Sequence, residues 1–205
     1  VPVAESTLDP TKMGYTLPIF NENYIHWIGI TSLVMPYLKE NASEKISVTL
    51  TTKGFDDRFP FYSSLPKKNG QYQFYGKNTD FLSSIFVAGD YRIKDYATKY
   101  GQISLAIRGD WEFDDESIFQ SLLKIYIYQR EYWQEPENSG DLWVSLTPLD
   151  EHENPDVVQS NGIALYNSFT SFFTKNLRQE NINYLFAHEG FHYWLPRKFG
   201  KLSGE

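Results

Sequence analysis

Eight residues near the C-terminal end, Ala187-His188-Glu189-Gly190-Phe191-His192-Tyr193-Trp194, constrain the fold of this chain more than any other stretch. They contain His-Glu-x-x-His. Residues four apart share one face of an α-helix, so a helix here points the imidazoles of His188 and His192 the same way. Two nitrogens held like that can supply two corners of a tetrahedral zinc site. Glu189 projects to the side, where its carboxylate is free to take a proton from a metal-bound water. The flanks agree with a helix. Arg178-Gln179-Glu180-Asn181 is a polar lead-in, and Ile182, Leu185, Phe186 and Phe191 recur at roughly helical spacing. Pro196 is expected to stop the helix after Leu195. Leu185, Phe186, Phe191 and Trp194 are expected to form a buried flank, which separates this pair of His from two that merely share a solvated helix.

Composition narrows what can surround such a helix. The chain has 205 residues, 41% hydrophobic and 17% aromatic, enough for one large core or two small ones. Net charge is −7, and no Lys/Arg cluster is dense enough for a nucleic-acid footprint. No apolar run approaches the roughly 18 residues of a membrane-spanning helix. There is no Cys, hence no disulfide framework and no thiolate for a metal or a nucleophile. A Cys-free chain opening on Val1 with a polar lead fits an exported protein, periplasmic or extracellular, with the cytoplasm as the alternative.

Along the chain, residues 1 to about 15 form an irregular arm broken by Pro2, Pro10 and Gly14. Strands are expected at Tyr24 to Ile30, Leu33 to Pro36, Glu44 to Thr51 and Gln71 to Gly76, with Phe55 to Pro66 a loop. His26 falls in a strand and is expected in the core or at an edge. Asn69-Gly70 is a turn, because both residues tolerate positive φ. Asp80 to Ile93 reads as a buried strand ending at a turn. This succession suggests a β-sandwich up to residue 98. The pattern then changes. Ile103 to Gly109 is a strand. Asp114-Asp115-Glu116 opens a helix, with acids where the helix N-terminus is positive. Ile118, Leu122, Ile125, Gln129 and Trp133 trace one of its faces, and Pro136 and Gly140 close it. Asp141 to Leu149 is a strand, Glu151-His152-Glu153 lies in an acidic loop, and Gly162 to Phe173 is a further strand.

With those residues in view, the chain resembles the glycyl aminopeptidase family of gluzincins, zinc metallopeptidases related to aminopeptidase N, whose longer members carry a C-terminal PDZ domain. His188-Glu189-Gly190-Phe191-His192-Tyr193-Trp194 resembles that family's His-Glu-aromatic-Phe-His-x-Trp. Asn161 to Ser168 resembles its Gly-Gly-Leu-Glu-His-x-Asn-Ser edge strand, and the order of elements resembles its N-terminal half. The resemblance implies an α+β fold. Residues 1–98 would form an N-terminal β-sandwich domain. Residues 99–205 would form the first, sheet-plus-helices lobe of a thermolysin-like zinc-peptidase domain, cut after the zinc-motif helix. It also implies Zn2+ on His188 and His192, Glu189 as general base, and a peptide or protein substrate bonded along Gly162, Ile163 and Ala164. The family's third ligand, a Glu in a Trp-x-x-Glu-Gly segment, is expected beyond Glu205. The chain is therefore read as a fragment that alone binds zinc weakly and turns over little. Glu205 has the right residue type but follows a loop-like stretch. Ala164 and Leu165 stand where the family has Glu and His. That departure keeps open an alternative: a catalytically degenerate, peptidase-like binding or scaffold protein. A third reading, a carbohydrate-binding sandwich, rests on aromatic abundance alone, and alternating aromatics are more often core.

Overall fold

The computed structural model describes residues 18–33, 45–149, 154 and 156–199, with backbone alone at 196, 197 and 199. The expectations for the N-terminal arm, for Val34-Met35-Pro36, for the acidic loop at Glu151-His152-Glu153 and for Gly200 to Glu205 lie outside the described residues. Mixed sheets plus helices make the molecule α+β. The chain divides into two compact units, Val1–Tyr91 and Arg92–Glu205.

The first unit contains strands β1 (Ile19–Phe20), β2 (Tyr24–Ile28), β3 (Lys45–Leu50), β4 (Phe61–Ser63), β5 (Lys67–Lys68), β6 (Gln71–Lys77) and β7 (Ile85–Gly89). Two short helices, α1 (Gly29–Ser32) and α2 (Asn78–Leu82), complete it. The strands pair antiparallel into one sheet of order β1-β2-β7-β4 and another of order β3-β6-β5. Alternation in the sequence explains β3, whose exposed and half-buried residues alternate along its length. The β5–β6 hairpin turns at Asn69 and Gly70, with φ of 49° and 78°, as the Asn-Gly pair requires. Ile46, Val48 and Leu50 from one sheet pack on the same apolar cluster as Trp27, Phe61 and Phe86 from the other. His26 is fully buried in β2, and burial pushes its pKa down to about 3.

Three local expectations change here. The strand at Tyr24 ends at Ile28, because the hydroxyls of Thr31 and Ser32 donate back to the Ile28 carbonyl and curl the chain into α1. The loop from Phe55 contains β4, which is recruited by pairing with β7. The single strand expected from Asp80 is a helical turn, α2, followed by β7.

The second unit contains β8 (Arg92–Thr98), β9 (Gly101–Ile107), α3 (Asp115–Tyr132), β10 (Leu142–Pro148), β11 (Ser160–Ala164), β12 (Ser168–Phe173) and α4 (Gln179–Phe199). Its sheet runs β11-β12-β10-β9-β8. The three central strands are parallel, and the outer two are antiparallel to their neighbours. Covered on both faces, β10 and β12 are buried along almost their whole length, β10 mostly with apolar residues and β12 with Phe interspersed with Ser and Thr. Inside the sheet the Ser145 hydroxyl donates to that of Thr170 at 2.6 Å. One core joins Ile103, Leu105, Val144, Leu146, Phe169 and Phe173 of the sheet to Ile118 and Leu122 of α3 and Ile182 and Phe186 of α4. Asp114 caps α3, accepting from the Ser117 amide at 2.8 Å.

A division between residues 98 and 99 would cut the β8–β9 hairpin. The units instead meet at Tyr91 and Arg92, because β8 is tied to its own sheet and to α3. Arg92 pairs with Asp115 at 2.6 Å and Lys94 with Glu116 at 2.8 Å. The strand expected over Gly162 to Phe173 is a hairpin, β11–β12, turning at Leu165 to Asn167. Pro196 does not stop α4, which runs on to Phe199. The last turn is held from outside: Lys198 pairs with Glu135 at 2.8 Å and donates to the Trp133 carbonyl. Among the described residues no helix is long and apolar enough to cross a membrane.

Candidate metal centre

Helical geometry makes three faces of α4 do different things. At 100° per residue, His188 and His192 point one way, Glu189 lies about 80° to the side, and Ala187, Gly190 and Trp194 line a face about 150° from the imidazoles. Ile182, Phe186 and Trp194 are all but fully buried and root the helix in the core, whereas Phe191, expected in the buried flank, is 42% exposed.

The two imidazoles converge. Their Nε2 atoms are 3.1 Å apart and their rings nearly perpendicular, at 81°. Two nitrogens at ~2.05 Å from one tetrahedral zinc stand about 3.3 Å apart, so the pair fits the ion closely. Without an ion the same separation is a hydrogen bond from one ring to the other. Among the described residues, His188, Glu189 and His192 are the one His/Asp/Glu group close enough to hold a metal, their ligand atoms lying within 4.8 Å of one another. Both His are exposed, and Tyr184 stacks on His188. Glu189 is only 8% exposed. Burial pushes its carboxyl above the usual carboxylate range, and the two imidazoles pull it back down.

Glu189 owes its place to β11. A Cβ on Gly162 would sit 2.8 Å from Glu189 Oε1 and 3.0 Å from Cδ, so the missing side chain is the recess that receives the carboxylate. β11 is the edge of its sheet. The Leu165 amide donates to the Ser168 carbonyl, and the Thr174 amide to the Gln159 carbonyl. Antiparallel alternation then makes Gln159, Asn161, Ile163 and Leu165 the residues bonded to β12. The backbone N–H and C=O of Gly162 and Ala164 therefore point out along the open edge. Gly162 is brought to Glu189, Ala164 ends the strand, and Ile163 is turned inward by its backbone bonds. The Ser168 carbonyl closes the turn by accepting from the Leu165 amide, and the Asn167 carbonyl accepts from the Trp143 amide of β10.

Two residues of α3 belong to the site's frame: Gln129, which the sequence places on a face of the helix without a site role, and Arg130. Gln129 Nε2 donates to the Ala187 carbonyl at 2.9 Å, and its Oε1 accepts from Trp194 Nε1 at 3.3 Å. Arg130 is fully buried, its guanidinium 4.7 Å from the Tyr193 ring and 5.0 Å from that of Trp194. The signal for Gln129 was present: it is a polar residue on the apolar stripe of α3. For Arg130 the linear pattern carries no signal. Beside His188, Tyr128, Tyr132, Trp133, Tyr184 and Phe191 line a wide cleft of about 820 Å³ between α3 and α4.

No protein-family model matches the chain, and no curated protein does. Among solved structures, the chain is similar to an aminopeptidase N family protein from Idiomarina loihiensis, with a TM-score of 0.66 and 19% identity over 87% of this chain. The match covers 31% of the neighbour's length, so this chain spans less than a third of it. At that identity the likeness is one of fold.

Proposed function

We propose that the chain forms the zinc-binding portion of a metallopeptidase related to the glycyl aminopeptidases, with His188 and His192 as ligands and Glu189 as general base. The observation that carries the reading is the convergence of the Nε2 atoms of two exposed histidines, 3.1 Å apart, beside a buried carboxylate. The fold shared with part of an aminopeptidase N family protein supports it. Zinc, when bound, supplies a Lewis acid and lowers the pKa of its water to about 7. Glu189 is placed to hold and move a proton at its carboxylate oxygens, because the recess at Gly162 keeps it from swinging away. The outward N–H and C=O of Gly162 and Ala164 offer an extended peptide the backbone bonds of an added strand. Ala164 presents no charge to a free amino group, so this edge grips a backbone and not a terminus.

The experiment has two parts. This chain is titrated with Zn2+ by calorimetry, where His188→Ala and His192→Ala should each abolish the binding seen in the wild type. In the gene product that carries the chain, Glu189→Gln should lower peptide hydrolysis by about 10²- to 10⁴-fold with zinc retained. Hydrolysis at the wild-type rate in that variant rejects the role of Glu189. Ala164 favours a second reading, a binding protein with a degenerate site. Zinc bound by the wild type, with no hydrolysis of any peptide in a mixed library, decides for it.

A further inference from the structure

We infer that Gln129 is a positioning residue that sets the rotation of α4 and, through it, where Glu189 and the imidazole pair face the edge strand. The inference rests on the peptidase reading only for what that rotation accomplishes. The contacts stand apart from it. One side-chain amide touches α4 at three levels. It donates to the Ala187 carbonyl, one residue before His188. It accepts from the buried indole N–H of Trp194, two residues after His192. Between them it lies against Gly190, where an added Cβ would stand 2.5 Å from Oε1 and 3.2 Å from Nε2. Ala187, Gly190 and Trp194 form the stripe about 150° from the imidazoles, so the grip is on the back of the helix. Donor and acceptor ends of the amide are both used, and they are not interchangeable. The Ala187 carbonyl can only accept, taking the amide as a second donor beside its helical one, and the Trp194 indole N–H can only donate.

A helix held at its back by two bonds of opposite sense cannot turn without losing both. Side-chain ends lie ~6 Å from the helix axis, so a turn of about 10° carries them about 1 Å. His188 and His192 move together in such a turn, and their mutual distance survives. What changes is the distance from Glu189 and the imidazole pair to Gly162 and the outward backbone of β11. A 1 Å error between a catalytic group and a bound peptide is enough for about a 100-fold loss. Gly190 belongs to the same device, since any side chain there would displace the amide. Arg130, next on α3, stacks on Tyr193 and Trp194 and steadies the same end of the helix.

The test uses Gln129→Leu, Gln129→Ala, Gly190→Ala and the double variant Gln129→Ala/Gly190→Ala. In the gene product that carries the chain, Gln129→Leu should lower kcat 10- to 100-fold, with KM and zinc content changed less than threefold. Ile103→Val, a truncation in the core of β9, should lose stability without that loss of kcat. Unchanged kcat in Gln129→Leu overturns the inference. In the metal-free chain, NMR should show proton contacts between Gly162 and Glu189 in the wild type and weaker ones in Gln129→Leu; contacts of wild-type intensity in the variant also overturn the inference. Gly190→Ala should lower the melting temperature when Gln129 is present and raise it when residue 129 is Ala. The same sign in both backgrounds counts against the close contact. If the wild type hydrolyses nothing, the peptidase reading fails, and the NMR contact and the sign reversal alone decide the role of Gln129.

Discussion

At the scale of single residues, an absent side chain shapes the site as much as those present. Glu189 sits against β11 because Gly162 leaves room for it. Gly162→Ala should therefore push the carboxylate out and cost about 1–3 kcal/mol by overpacking. Thermal melts should show the loss, and in a Zn2+ titration the variant should match the wild type. His26 presents a different residue-scale property. Unfolded, its imidazole takes a proton near pH 6.5, while the buried ring resists until about pH 3. Its contribution is thus intact above pH 6.5 and falls by about 1.4 kcal/mol per pH unit as pH drops below that value. Urea unfolding followed by Trp27, the one Trp of the first unit, should show this slope, and His26→Leu should flatten it. Both features differ in legibility. His26 stands out in an apolar strand, whereas nothing near Gly162 in sequence says that residue 189 will meet it.

At the scale of elements, α4 separates local preference from tertiary demand. The His pair, the polar lead-in and the apolar positions all mark a helix, and a helix is there. Local rules also end it at Leu195, and there they lose. Pro196 offers no N–H to the carbonyl of residue 192, yet the backbone stays helical to Phe199 while Lys198 engages Trp133 and Glu135 of the α3 terminus. Pro196→Ala should restore that bond and stabilise the protein by about 1–3 kcal/mol, read as a higher urea midpoint. By sequence the β11–β12 hairpin reads as one strand, because its turn, Leu165-Tyr166-Asn167, lacks Gly and Pro. Its antiparallel reversal is set by pairing with β10 and by the Trp143 amide bonding the Asn167 carbonyl.

At the scale of the molecule, the candidate site lies wholly within the unit Arg92–Glu205, on α4 and β11. Zinc that binds the folded form alone should stabilise it by about 2.7 kcal/mol at 100 times its dissociation constant, and a chelator should remove that gain. Amide exchange should place the difference in α3, α4 and β11. The change of pattern near residue 100 suggests two units, and the compact units divide between Tyr91 and Arg92, with β8 held to the second by its partner strand and by two ion pairs to α3. What the sequence determined alone follows from fixed periods: four residues bring two imidazoles to one face, two residues alternate β3 between core and solvent, and Asn-Gly turns a hairpin. Only the tertiary structure decided which strand receives Glu189, which side chain grips the back of α4 and where that helix ends. Those outcomes depend on residues far apart in the chain, and a linear period records which face a side chain is on without recording what it will meet there.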